Sequence, residues 1–228
     1  MNRALDTPLP LAPKAVLFDL DGTLVDTAPD LGHAANLVRA ECGQTPLPLA
    51  DYRPVASAGA RGLLGMALAI TPDHADFPAH RDRFLELYRA NLTRQSRLFD
   101  GMDTLFAAIA ARGARWGVVT NKPEWLTTPL LAGLDLGAGC ACAVSADQVA
   151  RPKPAPDALL HACELLALSP QDCWYVGDDK RDITAGHAAG MHTIAADWGY
   201  LGADGPIDTW GADRIARTPQ ELAGWLMP

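Results

Sequence analysis

The chain has no pair of cysteines at metal-binding or redox spacing. Its five, Cys42, Cys140, Cys142, Cys163 and Cys173, are odd in number and scattered. Cys140 and Cys142 stand too close for an easy bridge, and no Cys-x-x-Cys occurs. Free thiols in a reducing compartment, mostly small core residues, are expected, and a zinc site is not. No stretch approaches the ~18 uninterrupted apolar residues of a membrane span. Residues 1–14, with one Arg, an Asp and three prolines, lack the apolar core of a signal peptide, so the expected location is the cytoplasm. Positive charge is scarce: 19 Lys and Arg against 27 Asp and Glu leave a net charge of -8. That argues against nucleic acid, which requires a basic face, and a phosphate-bearing ligand would need locally placed cations and a metal. Repeats and low-complexity tracts are missing, as is a Gly-x-x-x-x-Gly-Lys-Ser/Thr loop, so P-loop chemistry is unsupported. What is present is an ordinary globular composition, 49% hydrophobic and 20% charged over 228 residues. It suits one large domain, or a medium one carrying an insertion.

The stretch Ala15-Val-Leu-Phe-Asp19-Leu-Asp21-Gly-Thr23-Leu-Val25 stands out. An apolar run ends in two acids one residue apart, then in a Gly-Thr turn. Period-2 geometry puts Asp19 and Asp21 on the same side of an extended chain. Two crowded carboxylates repel unless a cation or a shared proton intervenes. A strand followed by an acidic turn is the plain alternative, since Asp-Gly is a common turn signal.

From Thr27 the period changes. Thr27-Ala-Pro-Asp30 has the hydroxyl, early proline and first-turn acid of a helix start, and Leu31, Ala34, Ala35, Val38 and Cys42 mark one face. Short helices are expected over Leu49 to Ser57 and Ala60 to Ala69, then a longer one from Ala79 to Gln95. Nothing between Thr27 and Arg97 reads as a strand. Beyond Leu98 helix and strand alternate strictly, with strands at Trp116–Thr120, Ala141–Ser145, Cys173–Asp178, Thr193–Ala196 and Arg214–Ala216. Alternation of this kind implies right-handed crossovers and a doubly wound, mostly parallel α/β sheet covered on both faces, into which an all-helical block is inserted after the first strand.

Ligands of such sheets bind beyond the carboxyl ends of the strands. One strand ends in Asp19 and Asp21, a second in Thr120-Asn121-Lys122-Pro123, and a third in Gly177-Asp178-Asp179-Lys180-Arg181-Asp182. Before a helix lies Arg151-Pro-Lys153-Pro, where each proline restricts the residue preceding it. Taken singly, these are a capping turn, a surface lysine and an acidic turn. At one edge of one sheet they converge, and two acid pairs facing each other suit a hard cation such as Mg²⁺, which prefers carboxylate oxygens.

The set Asp19-Leu-Asp21-Gly-Thr23, Thr120-Asn121, Lys153, and Gly177-Asp178-Asp179 with Asp182 resembles the four signature motifs of the haloacid-dehalogenase superfamily of phosphatases, in order from Ala15 to about Tyr200. The resemblance implies a Rossmann-like core over residues 13–26 and 98–228 and a helical C1-type cap over 27–97. It implies Asp19 as a nucleophile forming an aspartyl-phosphate and Asp21 as the acid and then the base. Thr120, backbone N–H groups near Asn121, and Lys153 would bind the phosphate. Mg²⁺ would sit on Asp19, the Asp21 backbone carbonyl and Asp178, with Asp179 and Asp182 behind them. Val119-Thr-Asn-Lys-Pro123, Ser57-Ala-Gly-Ala-Arg-Gly-Leu-Leu64 and Trp198-Gly-Tyr200 resemble phosphoglycolate phosphatases and equally N-acetylmuramic acid 6-phosphate phosphatases. The run Gly177 to Gly186 leans toward the second. The expected partner is a small carboxylate-bearing phosphate ester, 2-phosphoglycolate first, met by a monomer or homodimer without nucleic acid or membrane. Arg61, in the block of helices, is the candidate for gripping the carboxylate. A dehalogenase would not need Asp21. A phosphomutase shares both acids and the cap. A non-enzymatic phospho-receiver would group its other acids after the first strand and has no use for the inserted helices.

Overall fold

A computed structural model describes residues 12–227, so most of the 1–14 segment read above lies outside them. In chain order the strands and α-helices are β1 (Ala15–Phe18), β2 (Val25–Asp26), α1 (Ala28–Glu41), α2 (Leu49–Tyr52), α3 (Gly59–Leu68), α4 (Phe77–Arg89), β3 (Arg97–Leu98), α5 (Met102–Ala111), β4 (Arg115–Val119), α6 (Glu124–Gly133), β5 (Ala143–Val144), α7 (Asp157–Leu166), β6 (Cys173–Gly177), α8 (Lys180–Ala189), β7 (His192–Ala196), β8 (Arg214–Ala216) and α9 (Pro219–Leu226). No described helix is long and apolar enough to cross a membrane.

Six strands form one parallel sheet in the order β5-β4-β1-β6-β7-β8. All four residues of β1 are buried because both faces of the sheet are covered, which is why the strand reads as a continuous apolar run. Val16 and Phe18 pack with Val118, Trp174 and Val176 beneath α5 and α9, while Ala15 and Leu17 pack with Tyr175, Leu159 and Ala185 beneath α7 and α8. The chain runs to one side of β1 through β4 and β5, then returns to the other through β6 to β8. That reversal opens a crevice at the carboxyl ends of β1, β4 and β6.

The segment between β2 and β3 is built of helices and turns without a strand, and these two strands pair antiparallel at its two ends. Its helices share their own apolar cluster, including Leu31, Val38, Tyr52, Leu63, Leu64, Phe84 and Tyr88. Tyr200, from the loop after β7, is buried in the same cluster.

Two helices differ from the sequence reading. The expected helix over 49–57 breaks at Pro54, which has no N–H, and Arg53–Ala58 continues as a 3₁₀ turn. Gly59 then takes φ +59°, a conformation open mainly to glycine. α4 ends at Arg89 rather than near Gln95. The buried Asp30 carboxylate accepts hydrogen bonds from Gln95 N, Ser96 N and Ser96 Oγ at 2.7–3.0 Å and holds those residues in a turn.

Candidate active site

β1 delivers Asp19 to the crevice, where it is 8% exposed. Residues 20–25 fold back at once: Val25 N donates to Leu20 O at 2.9 Å and Gly22 N to Val25 O at 3.0 Å. Gly22 has φ +90°, and a Cβ there would fall 2.3 Å from Asp178 Oδ2. The Asp-Gly-Thr turn therefore admits only glycine at its centre. Thr23 Oγ1 donates to Asp178 Oδ1 at 2.7 Å, tying the end of β1 to the end of β6.

Lys153, from the loop before α7, enters the same space and is 4% exposed. Its ammonium donates to Val119 O at 3.0 Å, Tyr175 Oη at 2.7 Å and Asp182 Oδ1 at 2.7 Å. It also lies 2.8 Å from Asp19 Oδ1. Three protons are thus directed elsewhere, and Asp19 Oδ1 stays buried in ion-pair range without a hydrogen-bond donor of its own. Burial alone would push Lys153 down; Asp182 and then Asp19 reverse this and hold it above the ordinary lysine value. Asn121 holds the backbone beneath the lysine: its Nδ2 donates to Lys153 O at 2.9 Å, and its Oδ1 accepts from Lys153 N at 3.0 Å. Thr120 is buried at the end of β4, where its Oγ1 accepts from Lys122 N at 3.1 Å, leaving the hydroxyl proton to be donated.

Asp178 is fully buried. Burial first, then the charges of Asp19 and Asp182, push its carboxyl up to about 8, against the pull of Thr23 and the Tyr200 N–H. Ser57 Oγ reaches it from the 3₁₀ turn at 3.2 Å, and Tyr200 N at 2.9 Å. Asp179 caps α8 and forms a reciprocal capping box with Asp182. It also accepts two hydrogen bonds from the Arg181 guanidinium at 2.8 and 2.7 Å, which outweigh its burial and lower its pKa.

Carboxylate oxygens of Asp19, Asp178 and Asp182 lie within 4.8 Å of one another. Three buried acids, two of them sharing one ammonium and one with an oxygen lacking a donor, make a donor set suited to a hard divalent cation. Asp182 is part of this cluster, whereas the sequence reading put it behind the metal. The Asp21 carboxylate is outside it and faces Lys122.

Lys122 escapes the sequence reading. It is 8% exposed, and its ammonium lies 2.9 and 3.0 Å from the two Asp21 carboxylate oxygens and 3.0 Å from Tyr88 Oη on α4. Asp21 Oδ1 also accepts from Thr27 Oγ1 at 2.6 Å. Tyr88 stacks on Phe84 with ring centroids 6.2 Å apart. The signal in sequence is a lysine directly after Thr120-Asn121; nothing local names Tyr88 as its partner.

These groups border a cavity of about 300 Å³ between the sheet edge and the helical segment. Asp19, Asp21, Thr120, Asn121, Lys153, Arg181 and Asp182 line it from the sheet side. Arg61 does not line it. Gly59 and Ala60 do, and the helical advance of ~100° per residue carries Arg61 round to solvent, where it is exposed.

A model of the haloacid dehalogenase-like hydrolases matches residues 13–190. A phosphoglycolate phosphatase of Xanthomonas campestris pv. campestris is 43% identical over 223 residues, spanning 95% of this chain and 99% of its own. An N-acetylmuramic acid 6-phosphate phosphatase of Pseudomonas putida is 42% identical over 212 residues, spanning 92% and 94%. The crystal structure of a predicted phosphoglycolate phosphatase from Haemophilus somnus superposes with a TM-score of 0.82 at 26% identity, covering 95% of this chain and 99% of that one.

Proposed function

The chain belongs to the haloacid dehalogenase-like hydrolases, and from that membership we propose that this phosphoric monoester hydrolase works through an aspartyl-phosphate on Asp19, with Mg²⁺, on a small carboxylate-bearing ester. The observation that carries the reading is the buried Asp19 carboxylate beside Lys153, one oxygen lacking a donor, within reach of Asp178 and Asp182.

Asp19 attacks phosphorus, dividing one hard displacement into two. Asp21, on the cavity wall, protonates the departing alkoxide and then takes a proton from the water that hydrolyses the intermediate. Thr120 Oγ, the backbone near Asn121 and the Lys153 ammonium receive the equatorial phosphate oxygens, with Asn121 fixing where the lysine stands. Asp19, Asp178 and the Asp21 carbonyl would hold the metal, with Asp182, engaged by Lys153 and the Asp179 N–H, behind them. When bound, Mg²⁺ neutralises charge on the phosphate and keeps Asp19 ionised beside it. Residues 27–97 act as a cap: the Ser57 hydroxyl on Asp178 and the Arg181 guanidinium on Ser57 O, at 2.9 Å, fasten it over the site.

Relatives of two names match about equally well, and 2-phosphoglycolate is the first substrate to try. A cavity of about 300 Å³ with Leu31, Phe84, Leu85 and Leu126 on its wall leaves room beyond a phosphate and a two-carbon acid. That favours N-acetylmuramic acid 6-phosphate as the second. The reading is tested by Asp19→Asn, expected to lower kcat by about 10³-fold or more, the loss typical of a member of a cooperative catalytic set. Turnover near that of the unaltered enzyme overturns the nucleophile assignment.

A further inference from the structure

The cavity has two unlike halves. Its sheet side carries all the charge, whereas the helical segment contributes Leu31, Phe84, Leu85, the stretch Ala56–Ala60 and Tyr88, with no charged side chain among the described residues. A carboxylate on the leaving group must therefore find its cation on the sheet side. Three cations line that side. Lys153 stands among Asp19, Asp182, Val119 O and Tyr175 Oη, at the phosphate end. Arg181 is committed as a fork to Asp179 and to Ser57 O. Lys122 reaches the aromatic side of the helical half, bridging Asp21 to Tyr88 with its ammonium 4.5 Å from the Tyr88 ring centroid. The bond from Lys122 uses a lone pair of the Tyr88 oxygen and leaves the hydroxyl proton to be donated. Burial first, offset in part by Lys122, pushes the Tyr88 hydroxyl up to about 12, so it is a neutral donor.

We propose that Lys122 and Tyr88 form the subsite that reads an anionic oxygen on the leaving group, the ammonium turning from Asp21 to the substrate carboxylate while the Tyr88 hydroxyl donates a second hydrogen bond. This takes the place sequence reasoning gave to Arg61, and it rests on the phosphatase reading above. The exchange brings the substrate carboxylate's charge to an ammonium already in place and leaves Asp21 with the Thr27 hydroxyl as its donor. It also gives the apolar wall a purpose: it excludes water from the charge-assisted contact and so strengthens it.

Matched esters test this. N-acetylmuramic acid 6-phosphate is compared with N-acetylglucosamine 6-phosphate, which lacks the carboxylate-bearing lactyl group, and 2-phosphoglycolate with 2-hydroxyethyl phosphate, in which a hydroxymethyl replaces the carboxylate. The unaltered enzyme is expected to favour the acid of at least one pair in kcat/KM. In Lys122→Met that preference falls about ten- to hundredfold, the range for a hydrogen bond to a charged group, and in Tyr88→Phe it falls several-fold, mainly through KM. Should Lys122→Met lose all turnover, the preference of Tyr88→Phe decides. No preference in the unaltered enzyme, or one unchanged in the variants that turn over, overturns the subsite. Failure of the unaltered enzyme to hydrolyse any of the four esters overturns instead the proposed substrate class on which the subsite rests.

Discussion

Lys153 is where the electrostatics of the site concentrate. It is the one cation within ion-pair range of both Asp19 and Asp182 among the described residues, and all its donors are engaged. Lys153→Met would leave two buried carboxylates facing each other with no opposing charge. Removing one partner of a buried ion pair costs about 3–5 kcal/mol. The urea midpoint of metal-free Lys153→Met is expected to fall by a corresponding amount, and a loss below about 1 kcal/mol would show that the ammonium is not compensating those charges. Lys153 is legible in the sequence because proline flanks it and a helix follows, so its side chain is constrained locally. Lys122 is not legible in the same way. Its partners are Asp21, 101 residues upstream, and Tyr88, 34 residues upstream, and neither relation leaves a local trace. Arg61 shows the opposite error: a residue type suited to a carboxylate, on a helical turn that faces away from the cavity.

Among the elements, the sheet is the part that sequence periodicity describes well. β1, β4, β6 and β7 are buried apolar runs, each ending in polar groups, and the helices between them are the crossovers that parallel pairing requires. Helix ends inside residues 27–97 are less legible because tertiary contacts decide them. The spacing of Phe84, Leu87, Tyr88 and Leu92 carries a helical pattern past Arg89, and Leu92 is indeed buried, but from a turn. Beyond that turn the chain is held by Asp30 on α1, 66 residues before Ser96. Asp30→Ala would strip a buried acceptor from Ser96 N and Ser96 Oγ, each unsatisfied group costing about 1–3 kcal/mol. A destabilisation of roughly 2–4 kcal/mol is expected in equilibrium unfolding, with Asp30→Asn, which keeps one acceptor oxygen, losing less. Equal stability of Asp30→Ala and the unaltered protein would mean that the turn after α4 is held by something else.

At the scale of the whole molecule, the site is a local excess of negative charge that the fold tolerates at its own expense. Asp178 has no exposure and is held by Thr23 from the β1 turn, Ser57 from the helical segment and the Tyr200 N–H from the loop after β7. That loop is drawn in tightly: a Cβ on Gly199 would lie 2.1 Å from the Cβ of Asp178. Tyr200 continues inward, its hydroxyl donating to Asp26 Oδ1 and accepting from Ala28 N at the start of α1. One carboxylate therefore joins three separate parts of the chain, and a cation bound to it is felt by all of them. Ligand that binds only the folded state stabilises it by about 2.7 kcal/mol at a hundred times Kd. For a chain of this length that corresponds to a rise in Tm of roughly 5–10 °C on adding saturating Mg²⁺ after chelation. Asp178→Asn keeps the shape and an acceptor for Thr23 while removing an acid from a crowded group. Its metal-free Tm is expected to equal or exceed that of the unaltered protein, and the Mg²⁺-dependent rise is expected to vanish. Calorimetry of both proteins with EDTA and with Mg²⁺ separates the two effects, because a merely damaged fold lowers the metal-free Tm, whereas loss of the ion site removes only the increment. A full increment in Asp178→Asn would remove Asp178 from the metal site and with it the reason for so costly a burial.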